Sequence, residues 1–167
     1  MWRDGRIYTA GLTAQISQWN SETLELITTV DSFGGPVWSL AMSPDGTQLA
    51  AGCEDGCVKL FDVTPQGLVY ARSFDRQPGR LFSLHWDASG ETMVSGGSEG
   101  TVHVWNVKNG RCKMAIQAAD VNKSETLIWS TRLLPVCCAL FLFAWQPSSP
   151  VFFFFFFFFF FFFFFFF

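Results

Sequence analysis

The feature that most constrains the fold is an internal repeat with a period of 44 residues. Leu40–Gly52 aligns with Leu84–Gly96, and Glu54–Val63 aligns with Ser98–Val107 at the same offset. Four aligned pairs keep this register: Gly46 with Gly90, Gly52 with Gly96, Gly56 with Gly100, and Phe61 with Trp105. Because chance similarity does not hold a constant register, the pattern predicts a supersecondary unit that occurs more than once.

Each repeat unit alternates short β-type segments with turns. Branched or aromatic side chains recur at a spacing near two, which is typical of strands, in Val37–Met42, Gln48–Ala51, Val58–Val63 and Val69–Phe74. Tight hairpin turns need a residue that tolerates positive φ, and the sequence supplies Asp45-Gly46, Asp55-Gly56, Ser89-Gly90 and Glu99-Gly100. Four strands in about 40–45 residues is the size of a β-propeller blade. We therefore predict an all-β fold, a partial β-propeller.

The repeat extends in both directions from this central pair. Gly5 and Gly11 precede Gly46 and Gly52 by 41 residues, and Ile128–Ser130 aligns with Leu81–Ser83 at an offset of 47. The next turn should carry Asp-Gly or Ser-Gly, but the sequence has Val136-Cys137. We predict a propeller region over residues 1–135, with units of about 5–45, 46–89 and 90–135. Propellers close with about four to eight blades, so three blade-equivalents predict an unclosed ring, a fragment of a longer propeller protein.

Residues 136–167 differ from this body because they contain no charged residue and end in the uninterrupted run Phe152–Phe167. A run of T nucleotides encodes such a homopolymer, and a Val codon begins with the GT of a splice donor. We interpret this low-complexity tail as non-native intron read-through beginning at Val136. The alternative is a C-terminal membrane anchor, for which about 20 apolar residues are needed. That alternative is weakened by the polar Gln146–Pro150 segment and by the lack of Lys or Arg within ten residues of that segment on either side.

The charge balance excludes some functional classes. The chain has 11 Lys and Arg against 14 Asp and Glu, a net charge of −3, whereas a general nucleic-acid binder relies on many cations facing phosphates. No apolar signal segment follows Met1, so the five cysteines are interpreted as free thiols in a reducing compartment. We expect a cytosolic or nuclear protein that contacts no membrane unless the tail is real.

Two small groups of side chains contain the residue types of a metal site or a catalytic site. Structural zinc needs a second close-spaced ligand pair beside Cys53-x-x-x-Cys57, yet the remaining soft ligands of the body are scattered: His85, His103 and Cys112. Ser83, His85 and Asp87 follow one strand at a spacing of two, whereas a catalytic triad converges from different elements. We therefore predict no enzyme activity, no catalytic residue, no metal, no cofactor and no small-molecule substrate.

Two sets of residues are candidates for partner contacts. Arg72, Arg76 and Arg80 recur every four residues in an exposed connection between blades, and arginine is favoured at interfaces and on phosphate. We predict that they contact a partner protein or RNA, the alternative being a solvated loop with a local Arg–Asp pair. Trp38, Trp86, Trp105 and Trp129 fall at repeat positions that predict packing between blades rather than a recognition platform.

The repeat unit resembles the WD40 family. Phe61-Asp62 and Trp105-Asn106 stand at the Trp-Asp position of that family, and Asp55 and Glu99 at its acidic turn. The family's Gly-His pair is replaced by Gly34-Gly35-Pro36 and Arg76-Gln77, although Ser95 and Trp105 supply two members of its His–Asp–Ser–Trp hydrogen-bond network. We expect that this network cannot form and that packing holds the blades.

Longer strings resemble the cirhin family of nucleolar WD40 proteins, over roughly residues 3–135. They are Tyr8–Leu12, Asp31–Ser39, Gly52–Phe61 and Ser73–Gln77. The resemblance implies the amino-terminal propeller of a non-catalytic nucleolar scaffold in the small-subunit processome. Its implied partners are other processome proteins and pre-rRNA, with roles in pre-18S rRNA maturation and a link to rRNA transcription. The alternatives are a generic WD40 interaction adaptor, such as a ubiquitin-ligase substrate receptor, and a tail-anchored membrane protein.

Overall fold

In the computed structural model the chain forms antiparallel sheets, each built from consecutive strands. The structure describes residues 2–3, 5–117, 127–133, 139–146 and 149–158, with the backbone alone for 2–3, 132–133 and everything after 133. The all-β prediction is confirmed across these residues. The predicted break at Val136-Cys137 lies outside them, so the boundary at 135 and the read-through origin of the tail stay predictions.

Within the described ranges, three sheets have four strands and a fourth has three, and in each the strands follow chain order. The first blade comprises β1 (Trp2–Arg3), β2 (Arg6–Ala10), β3 (Gln15–Asn20) and β4 (Leu26–Asp31). The second comprises β5 (Val37–Met42), β6 (Gln48–Cys53), β7 (Val58–Thr64) and β8 (Gly67–Ser73). The third comprises β9 (Leu81–Trp86), β10 (Thr92–Gly97), β11 (Thr101–Asn106) and β12 (Arg111–Gln117). The last sheet comprises β13 (Leu127–Leu133), β14 (Ala139–Gln146) and β15 (Ser149–Phe158).

The predicted hairpin glycines have the conformation that the turns demand. Their φ angles lie between +65° and +80°, in the left-handed region that disfavours other residues: Gly46, Gly56, Gly90 and Gly100. Gly5, with φ +73°, makes the corresponding turn of the first blade. The amino-terminal sheet therefore has the same strand order and the same glycine turn as the two blades that follow it.

In the second blade, β6 and the first four residues of β7 are buried on both faces, because neighbouring blades cover them. In β7 the consecutive residues Val58, Lys59, Leu60 and Phe61 are all at most 7% exposed, whereas a strand with one solvated face alternates. Trp86 of the third blade donates its Nε1–H to the Ala41 carbonyl of the second, 3.0 Å away. A separate apolar cluster lies between each pair of neighbouring sheets and fixes their relative position.

Close approach of the inner strands requires a residue without a side chain at one repeat position. A Cβ on Gly52 would stand 2.5 Å from Ser39 Oγ and 3.0 Å from the Leu81 carbonyl of the next blade. At the equivalent position, a Cβ on Gly96 would stand 2.4 Å from Ile128 Cγ2. Contacts this short do not occur for real Cβ atoms, so these two glycines set the spacing between neighbouring blades.

Candidate interaction surface at the loop end

The turns and connections of the second and third blades gather at one end of the sheets, here called the loop end. It carries the starts of β5 and β9 and the turns after β6 and β10, since Val37 pairs with Cys53 and Leu81 with Gly97. The connection 74–80 crosses this end: Gln77 donates its backbone N–H to the Gly56 carbonyl at 2.9 Å. The loop end is thus a continuous surface spanning two blades.

The structure does not bring the three predicted arginines together. Arg72 is half-buried on β8 and donates a hydrogen bond to the Lys108 carbonyl of the third blade. Arg80, just before β9, donates from Nε to Glu54 Oε1 of the second blade at 2.6 Å. Arg76, between them, is exposed and forms no ion pair or hydrogen bond with a residue in the described ranges. Arg72 and Arg80 therefore bridge the second and third blades, and of the three arginines Arg76 is the one without a partner among the described residues.

Arg80 belongs to a closed set of contacts with Glu54 and Trp38. Trp38 donates its indole N–H to Glu54 Oε2 at 2.6 Å, and the Arg80 guanidinium carbon lies 5.9 Å from the centroid of the Trp38 ring. Burial pushes the pKa of Glu54 upward, but its hydrogen bonds to Arg80 and Trp38 outweigh burial and lower the pKa overall. Each of the three side chains therefore holds the other two in position.

The rings of Trp38, Phe82 and Trp129 form a row, here called the aromatic row. One ring comes from the inner strand of each of three successive sheets: β5, β9 and β13. Phe82 stacks on Trp129 with centroids 4.5 Å apart and planes 10° apart, and Trp38 meets Phe82 edge-on at 5.4 Å. Trp38 is 37% exposed and Trp129 45% exposed.

All four tryptophans pack between blades, as predicted, since Trp38 and Trp129 both contact Phe82 of the third blade, but two of the four are also exposed, which was not predicted. Trp86 and Trp105 are 5% and 1% exposed and lie in the core, whereas Trp38 and Trp129 are exposed. Trp38 is the second residue of β5, at the loop end, whereas Trp86 is the last residue of β9, at the opposite end. Repeat alignment did not predict which end of the inner strand leaves its ring exposed.

The complete His–Asp–Ser–Trp network was predicted not to form, and the third blade holds a shorter network in which a glutamine joins the serine and the tryptophan. Trp105 donates its indole N–H to Ser95 Oγ at 2.9 Å, and Gln77 Nε2 donates to the same hydroxyl at 3.1 Å. Gln77 and Ser95 are 5% and 0% exposed. The Gln77 amide thus reaches the serine from the connection between the blades. The signal available in the sequence was Gln77 itself, a polar residue beside the repeat's Ser–Trp pair.

The second blade holds a different buried polar group. Lys59 Nζ lies 2.9 Å from Asp55 Oδ2 and 3.3 Å from Ser73 Oγ, and the Lys59 side chain is 8% exposed. Burial lowers the pKa of Lys59, but the hydrogen bond to Asp55, with nearby negative groups, outweighs burial and raises it overall. The ammonium therefore remains charged inside the blade. Its burial had no signal in the sequence.

The residues considered for a metal site and for a catalytic triad have structural roles in the described part of the chain. Cys53 and Cys57 are buried free thiols, and desolvation, as the largest cause, raises the pKa of Cys53 to about 12, which keeps it protonated. Asp87 accepts hydrogen bonds from Thr92 N and Ser89 Oγ, so it shapes the β9–β10 turn. Over the ranges that the structure describes, no three His, Cys, Asp or Glu residues form a metal-binding group. Those ranges also contain no helix with the length and hydrophobicity that a membrane crossing needs.

Comparison with known proteins agrees with the repeat structure. The WD domain, G-beta repeat family matches residues 24–62 and 70–106. Over 138 residues, 80% of the chain, it is 44% identical to U3 small nucleolar RNA-associated protein 4 homolog of Mus musculus and 41% identical to that of Homo sapiens. U3 small nucleolar RNA-associated protein 4 of Schizosaccharomyces pombe is 30% identical over 143 residues. The chain spans about a fifth of the length of these relatives, 20% in each case. The names of these relatives support the predicted resemblance to the cirhin family.

Proposed function

Because the second and third blades are WD40 repeats and the chain is similar to U3 small nucleolar RNA-associated protein 4, we propose that it is a non-catalytic scaffold of the small-subunit processome. One observation carries this proposal: the 44% identity with the mouse protein extends over 138 residues. A likeness of that length covers whole blades and the connections between them, which are the parts of a propeller that contact partners.

The scaffold would act in the nucleolus, in processome assembly and pre-18S rRNA maturation, with a link to transcription of the rRNA genes. Its partners would be other processome proteins and, directly or through them, pre-rRNA. The names of the relatives, which associate them with U3 small nucleolar RNA, support this environment. We assign the chain no reaction, cofactor or small-molecule substrate.

Within the 74–80 connection, the contact with a partner or with RNA is made by Arg76. Its guanidinium is exposed and uncommitted among the described residues, whereas Arg72 and Arg80 hold neighbouring blades. Arg72 and Arg80 therefore act by fixing the shape of the connection. Arg76→Ala should weaken particle association while leaving thermal stability unchanged, because an exposed side chain contributes little to folding.

Gradient sedimentation of nucleolar extract containing the full chain tests the scaffold proposal. Co-migration with U3-containing pre-ribosomes is the expected result. Recovery only with a ubiquitin ligase would favour the adaptor alternative, and recovery only as free protein would contradict both. Carbonate extraction of the same cells tests the anchor alternative, for which the chain would stay in the membrane pellet.

A further inference from the structure

The aromatic row stands out among the exposed surfaces because its rings are both accessible and fixed. Trp38 and Trp129 are 37% and 45% exposed, and each contacts Phe82. Contiguous exposed apolar surface rimmed by polar groups marks interaction sites on soluble proteins. Tryptophan and arginine are also the side chains that most often dominate binding energy at protein interfaces. The row and Arg80 together have that composition.

The contacts within the row remove much of the entropic cost of binding. Glu54 fixes the Trp38 indole through a 2.6 Å hydrogen bond and fixes Arg80 through a second of the same length. Phe82 and Trp129 hold each other by parallel stacking at 4.5 Å. Surfaces that are already ordered lose less conformational freedom when a partner binds. The row is therefore prepared for a contact before any partner arrives.

The charges beside the row indicate the kind of partner. Arg80 is neutralised by Glu54, its partner at 2.6 Å. Glu99 lies beside the connection, since a Cβ on Gly79 would stand 2.8 Å from Glu99 Oε1, and it forms no ion pair with a described residue. Asp75 and Arg76 of the connection carry opposite charges, so among the described residues of this surface Glu99 leaves one uncompensated negative charge. Phosphate backbones need several free cations, whereas a basic side chain is attracted both to Glu99 and to aromatic faces.

We infer that the aromatic row docks a segment of another protein in which an apolar side chain is flanked by lysine or arginine. The apolar side chain would lie against Phe82 and Trp129, and the basic one would face Glu99. This deepens the proposed scaffold function, on which it rests, by naming the chemistry of one partner.

The test uses the full chain, a random-peptide phage library and a single-stranded oligouridine of about 20 nucleotides. We expect enriched peptides to combine an apolar or aromatic residue with Lys or Arg. Trp38→Ser should lower the affinity for the best-binding synthetic peptide by about tenfold or more, as expected for a central anchor residue at an interface. The matched control is Tyr70→Ser, which removes a ring of similar exposure (41%) from the outer strand β8 and should change affinity by less than about twofold.

Glu99→Lys keeps the test decisive if Trp38→Ser fails to fold. Glu99 is exposed, so this substitution reverses a surface charge without altering the core. It should lower the affinity for the basic peptides and leave the melting temperature of the chain unchanged. Enrichment of acidic peptides, no enrichment, or affinity indifferent to Glu99→Lys would overturn the inference. Oligouridine binding that depends on the row would reassign it to nucleic acid. Peptide binding without pre-ribosome co-migration would contradict the scaffold proposal alone.

Discussion

In the third blade, Trp105 donates its indole N–H to Ser95, and Gln77 donates to the same hydroxyl. The second blade has Phe61 and Ala51 at the positions equivalent to Trp105 and Ser95, and neither side chain has a polar atom. Both aromatic rings are nonetheless almost completely buried, at 1% exposure for Trp105 and 0% for Phe61. The same cavity is thus filled with a hydrogen-bonded group in one blade and with hydrocarbon in the other.

The second blade places its polar contact elsewhere. Lys59 pairs with Asp55 inside the blade, whereas the third blade has His103 at the position of Lys59. The residue equivalent to Gln77 is Phe33, which takes a φ of +58° and turns outward to contact Tyr70 at 4.9 Å. Strand order and hairpin turns are therefore common to the two blades, while the connection that precedes each blade and the chemistry that satisfies each interior are local.

The largest effect should follow loss of the shared acceptor in the third blade. Ser95→Ala leaves the Trp105 indole N–H and the Gln77 amide without their partner in a buried site, and we expect a loss of about 3 kcal/mol, since each unsatisfied buried group costs about 1–3 kcal/mol. The free energy of unfolding in urea measures it. The control is Ser83→Ala, because the Ser83 hydroxyl is buried with no hydrogen bond to a described residue and its removal should cost nothing. Equal losses for the two variants would contradict the network.

The second blade should show an asymmetry between the two members of its ion pair. Asp55→Asn leaves the Lys59 charge unpaired at 8% side-chain exposure, while Lys59→Met leaves Asp55, which is 33% exposed and can hydrate. We expect a loss of about 2 kcal/mol for Asp55→Asn and less than about 1 kcal/mol for Lys59→Met, because an unpaired buried charge is the costlier state. Asparagine can still accept the Cys57 N–H bond of the turn, so the comparison isolates charge. A larger loss for Lys59→Met would contradict the burial of the pair.

The smallest effect concerns pH and separates His103 from Lys59. Desolvation lowers the pKa of His103 below its usual 6.5, so the unfolded chain binds a proton before the folded chain does. Stability is therefore full above pH 6.5 and decreases as pH falls towards the folded-state pKa. His103→Gln should reduce the pH dependence of the urea midpoint of unfolding between pH 7.5 and the folded-state pKa. Lys59→Met should leave that dependence unchanged, because Lys59 titrates far above this range. If the urea midpoint of His103→Gln depends on pH as steeply as that of the unaltered chain, the assignment of this dependence to His103 is contradicted.

The repeat register predicted the blades well, because short strands and glycine turns are local features. Gly46 and Gly90 were placed by sequence alone and have φ of +77° and +74°. The interiors were less predictable, because they depend on which side chain crosses between blades. Gln77 lies in a connection whose path a sequence does not specify, and Lys59 is in a strand where alternation would leave it exposed. The aromatic row was missed for a related reason: repeat alignment does not predict which end of the inner strand leaves its ring exposed.

The scaffold proposal is tested most directly by precipitating the full chain from nucleolar extract and quantifying the co-purified RNA. We predict that U3 small nucleolar RNA is enriched over a spliceosomal small nuclear RNA of similar abundance, and that Ser83→Ala leaves this enrichment unchanged. Recovery of the two RNAs in equal proportion, with the chain folded and nucleolar, would contradict a role in the U3-associated particle.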